Sequence, residues 1–144
     1  MDLTRLTPME IVRAYDRLGA RLDHRNWFHP GGPLGRPFGC PLGVLAVDAK
    51  PDLATTGRAL DGRAVADALG LEPDIVACFS GGFADGCAGS DRDWRDWPGS
   101  QFAEAFRAGF RLAKELRRLR PNLFDPVAAP APANGQSRTR LLDD

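Results

Sequence analysis

The chain has 144 residues with 19 basic and 19 acidic side chains, a length that supports one domain with its own core and not two. Zero net charge argues against a partner captured by overall charge, and no apolar run approaches the roughly 20 residues that span a bilayer. Three cysteines without paired spacing give neither a disulfide framework nor a zinc motif, which points to a reducing, cytoplasmic setting; MDLTRLTPME also lacks the apolar core of a secretory signal.

Thr7, followed by Pro8 and by Glu10 three residues after the cap, is a capping box and predicts the first helix. Ile11, Tyr15, Leu18 and Leu22 recur at helical spacing on one face, with Arg13, Asp16, Arg17 and Arg21 on the other. Residues 26–43 are dense in glycine and proline, so neither a regular helix nor a central strand is expected there. Trp27, Phe28 and Phe38 either pin this long loop to the core or present it to a partner. The run CPLGVLAVDA predicts a short buried helix from Pro41 to Ala49, a strand through Val44 to Val47 being the alternative.

Val65 to Phe79 carries the spacing of a helix-turn-helix corner. Ala66 is the small packing residue and Gly70 turns the chain, while Val65, Leu69, Leu71, Val76 and Phe79 fill the angle between the helices. Asp61 and Pro73 mark where the two helices begin. In a DNA-reading corner the start and outer face of the second helix meet the groove. Here those positions are Glu72, Pro73, Asp74, Ala77, Cys78 and Gly81. Two carboxylates oppose a polyanion and no side chain is suited to reading a base, so the corner reads as structural. Gly81, Gly82, Gly86 and Gly89 each weaken a helix by about 1 kcal/mol relative to alanine. The expected compensation is close approach of another helix at Gly82 and Gly86; the alternative is a helix that ends near Asp85.

The acidic, Trp-bearing segment from Ser90 to Gly99 reads as a turn that enters the last helix through Pro98 or Ser100. That helix places Phe102, Ala105, Phe106, Gly109, Phe110, Leu112, Ala113, Leu116 and Leu119 on one broad side. Arg107, Arg111, Lys114 and Arg118 form a basic ridge opposite. Residues 125–144, proline among alanines and then a polar end, are expected to be a disordered tail. The predicted architecture is all-α: a compact bundle of four to five helices over residues 1–124, including the helix-turn-helix-like corner and a long Gly/Pro-rich loop.

Function is far less legible. SGGFADGCAGS resembles no complete phosphate cradle, since no GK[ST] follows, and DRDWRD lacks the closing glutamate of a calcium loop. Cys40, Cys78, Cys87 and His29 are weak metal-ligand candidates without ligand spacing, and Cys87 with His24 or His29 as base is the candidate nucleophile. The expectation is a small non-enzymatic interaction or assembly protein with no cofactor. It would meet a protein partner or itself through the last helix and the contact aromatics Trp27, Phe28, Phe38, Trp94 and Trp97. The alternatives are a nucleic-acid or acidic-partner contact through Arg107, Arg111, Lys114 and Arg118, and a cysteine-dependent enzyme or metal protein.

Overall fold

The computed structural model describes residues 1–31, 35–89 and 100–124. The expected tail from residue 125, and Trp94 and Trp97, lie outside the described residues. Helix α1 (Pro8–Leu18) starts on the capping box: Thr7 accepts from the Glu10 amide, and the Glu10 carboxylate accepts from the Thr7 amide at 3.1 Å. It ends sooner than the apolar spacing suggested, because Gly19 adopts a left-handed conformation (φ 63°) and turns the chain. Leu22 therefore lies in a strand rather than on the helix.

The fold is mostly helical, and the all-α expectation is corrected by a three-stranded sheet. Strands β1 (Arg21–Leu22), β2 (Phe28–His29) and β3 (Phe38–Gly39) take the order β1-β3-β2, with β3 parallel to β1 and antiparallel to β2. The prolines that spoke against a central strand flank β3 instead of interrupting it. Pro37 contributes only its carbonyl, accepting from the Arg21 amide at 2.8 Å, and Pro41 opens the next helix. Tyr15 fixes the sheet to α1: its buried hydroxyl donates to the Gly39 carbonyl at 2.6 Å.

Helix α2 (Pro41–Ala49) is apolar almost all round and mostly buried. Gly39 and Gly43 allow the loop backbone to cross it. A Cβ on Gly43 would collide with the Trp27 carbonyl, and one on Gly39 would sit 2.5 Å from the same oxygen. Arg17 on α1 clamps the helix end through Nε and Nη2 to the Asp48 carboxylate at 2.9 and 2.6 Å, which holds that carboxyl below its ordinary range. Helix α3 (Gly62–Leu69), capped by Asp61, and helix α4 (Pro73–Ala88) form the expected corner, with Gly70 left-handed at φ 69° and Val65, Ala66, Val76 and Phe79 buried.

Helix α5 (Gln101–Leu119) starts at Ser100, whose hydroxyl accepts from the Ala103 amide at 3.3 Å. It packs on α4 backbone against backbone. Cβ atoms added at Gly82 and Gly109 would collide with the carbonyls of Phe106 and Phe79 respectively, and one at Gly86 would lie 2.7 Å from Ala113 Cβ. The close approach expected at Gly82 and Gly86 is therefore present, and α4 runs past Asp85 to Ala88. The two helices point the same way: Leu71 and Ile75 lie beside Glu104 and Ala105 at one end, and Cys87 lies beside Arg117 at the other.

This packing separates two adjacent glycines. Gly82→Ala forces a methyl into the Phe106 backbone and should lower stability by about 1–3 kcal/mol, an overpacking cost. Gly81 is exposed, and a Cβ there meets only the Phe106 ring at 3.8 Å. Gly81→Ala should therefore raise stability by about 1 kcal/mol through helix propensity. Urea unfolding midpoints of the two variants read the opposite signs directly.

Candidate functional site

Helix α5 buries nine residues, among them Phe106, Gly109, Phe110, Leu112 and Leu116. At about 100° per residue these occupy an arc of roughly 220°, so the apolar side of the helix is closed by the protein's own core. The exposed strip that remains holds Arg107, half-buried, and Arg111, Lys114 and Arg118, all exposed. Glu104 and Glu115 lie at its edge. Lys114 Nζ rests 5.0 Å from the Phe110 ring centre, and among the described residues none of the four cations makes an ion pair. Phe102 and Leu119, expected on the buried side, are 38% and 46% exposed because they lie at the helix ends.

At the C-terminal ends of α4 and α5 the strip opens into two adjoining clefts that share Cys87 and Arg117. One, of about 450 Å³, lies against β1 and is lined by Arg21, His24, Arg25, Cys87, Arg117 and Phe124. The other, of about 550 Å³, is bounded by Gly86, Gly89, Lys114, Arg117 and Arg118. Arg117 was absent from the sequence-derived ridge because it projects to the side of it. Its Nη2 donates to the Cys87 carbonyl at 2.6 Å, satisfying one of the open carbonyls at the end of α4. Its guanidinium also lies 4.6 Å from the Phe124 ring centre. Arg21 is held similarly over the Phe38 ring at 5.0 Å, and Arg25 pairs with Asp23 at 3.6 Å. The excess of cations over carboxylates makes both clefts attractive to anions.

Cys87 and His24, which no sequence spacing brings together, line the same cleft. Their protonation runs against nucleophilic use. Burial pushes the Cys87 thiol up to about 12, opposed only in part by Arg117, and burial draws the His24 imidazole below its ordinary value. Both groups are held neutral, whereas an activated thiol needs a stabilised thiolate. Cys40 is buried, its thiol is raised to about 11, and its sulfur lies 3.7 Å from the Trp27 carbonyl. Cys78 is half-exposed on α4. His29, the other base expected for Cys87, is not among the residues that line the cleft with it: its Nδ1 accepts from the Gly31 amide at 2.9 Å, and its ring stacks on Phe38. Among the described residues no group of three or more His, Cys, Asp or Glu is placed to hold a metal ion.

The loop aromatics divide. Phe28 is 2% exposed and belongs to the core, where it anchors the loop and is closed to a partner. Trp27 is half-buried with its ring against Gly62, and Phe38 is half-buried between Arg21 and His29. Among the described residues no helix is long and apolar enough to cross a membrane. Comparison with protein-family models, curated proteins and solved structures finds no match in any of the three.

Two solution properties follow from the protonation of this region. Iodoacetamide followed by mass spectrometry should modify Cys78 first and Cys87 more slowly, since the Cys87 thiol is held up at about 12, with buried Cys40 protected until urea unfolds the chain. Because His24 is depressed below 6.5 in the fold, its contribution to stability is complete above that pH and is lost as pH falls through the folded value. His24→Gln should therefore flatten the stability profile below about pH 6.5 and leave it unchanged above.

Proposed function

We propose that the protein is a non-enzymatic binding module that docks an acidic protein surface on the basic strip of α5 and the cation-lined clefts at its C-terminal end. The observation that supports this reading is the exposure of Arg111, Lys114 and Arg118 without an ion pair among the described residues, on a helix whose apolar side is consumed by the core. Charge is the larger part of what this helix offers a partner, its exposed apolar surface being confined to Phe102 and Leu119 at the two ends. A protein partner is favoured over nucleic acid by the start of α4, where Glu72 and Asp74 are exposed and repel a polyanion that extends along the helix pair beyond the strip; the exposed acids of α1 and α3 are balanced by Arg13, Arg17 and Arg63.

Solvent-exposed ion pairs contribute about 0.2–1 kcal/mol each, so such docking is fast, weak per contact and sensitive to salt. Poly-L-glutamate is a direct probe. Wild-type protein should bind it in low salt and release it as salt is added, and Arg111→Gln/Lys114→Gln/Arg118→Gln should weaken binding about tenfold, in keeping with the loss of three such pairs. Equal binding by the wild type and the triple variant, or retention of RNA and DNA oligomers but not polyglutamate, overturns the proposal.

A further inference from the structure

We infer that the acidic surface docked by the basic end of α5 is the opposite end of a second copy of this chain, so that copies add head to tail. The inference rests on the docking role proposed for α5 and specifies the partner. Because α4 and α5 run in the same direction, their starts share one end of the molecule and their C-terminal ends share the other. A cleft of about 340 Å³ opens between the two starts, floored by Leu71, Ile75 and Ala105 and carrying Asp2, Glu72 and Glu104. No lysine or arginine lines it; Met1 does, and its ammonium acts on Asp2. Asp2 is engaged by Arg5 at 3.7 Å, whereas Glu72 and Glu104 are exposed and make no ion pair among the described residues.

The far end carries the complement. Leu119 is 46% exposed, and Lys114 and Arg118 stand on the adjacent strip. Leu119 of one copy set against Leu71 and Ile75 of the next buries apolar surface at both sites, and the long side chains of Arg118, about 100° round the helix from Leu119, and of Lys114, one turn back, reach round to Glu72 and Glu104. One copy cannot satisfy itself in this way, since the two surfaces lie at opposite ends of a helix pair about 25 Å long. A twofold contact of either end with its own kind sets like charges together. The contact is therefore heterologous and repeats from copy to copy, so assembly grows with concentration.

Sedimentation velocity from low micromolar to near-millimolar protein, in low and high salt, tests the arrangement. The wild type should grow past the dimer in low salt and revert to monomer in high salt. Lys114→Gln/Arg118→Gln and Glu72→Gln/Glu104→Gln should each remain monomeric, while their equimolar mixture should stop at a one-to-one dimer, since each variant keeps the end that the other lacks. All four side chains are exposed, and wild-type circular dichroism verifies that the variants fold. A wild type that stays monomeric yet binds polyglutamate overturns head-to-tail assembly and leaves the acidic-partner reading intact. Failure to bind polyglutamate as well removes both. A closed dimer, whether or not Glu72→Gln/Glu104→Gln alters it, also overturns the inference.

Discussion

The contact of α4 with α5 at Gly82, Gly86 and Gly109 organises the rest of the molecule. With no side chain at these positions, each backbone meets the carbonyls of the other helix directly, the Phe106 carbonyl at Gly82 and the Phe79 carbonyl at Gly109. A helix carrying so many glycines is weak by itself, and α4 is stable because α5 fills the space those glycines leave. The close approach also brings Phe79, Phe83, Leu112 and Leu116 into one core. That accounts for why α5 buries more than half of its circumference and keeps only a narrow charged strip for solvent.

The parallel direction of the pair has an electrostatic consequence. Antiparallel neighbours set opposite helix dipoles side by side; parallel neighbours place both positive ends together and both negative ends together. Glu72, Asp74 and Glu104 lie at the amino ends, and Lys114, Arg117 and Arg118 at the carboxyl ends, so each set of charges complements the dipoles beside it. The result is a neutral chain with two oppositely charged ends.

The same device orders the Gly/Pro-rich loop. Gly39, Gly43 and Gly62 all face Trp27, two of them its carbonyl and the third its ring. This contact, with the Tyr15 hydroxyl bond to Gly39, locks a small sheet whose two-residue strands have little pairing energy of their own. Near this packed centre Cys40, Cys87 and Asp23 all bear on Tyr15, whose hydroxyl is held protonated mainly by burial. The interior is thus electrically quiet. Ionised groups that stand free of partners are on the surface, and recognition falls to them.

Features encoded within a few neighbouring residues were determined by the sequence alone. The Thr7 capping box, the left-handed turn at Gly70, the Pro41–Ala49 helix and the Ser100 cap each depend on contacts within one or two turns of chain. The basic strip was legible for the same reason, since helical periodicity fixes which side chains share a face. Tertiary structure decided what depends on partners distant in sequence: the pairing of β1 with β3, the burial of Phe28, the shared direction of α4 and α5, the meeting of Cys87 with His24, and the position of Arg117. Gly19 was a local signal for the early end of α1, yet apolar spacing through Leu22 pointed past it, because a strand residue facing the core keeps the hydrophobic character a helix residue would have. Periodicity records burial; only the fold records what each residue is buried against.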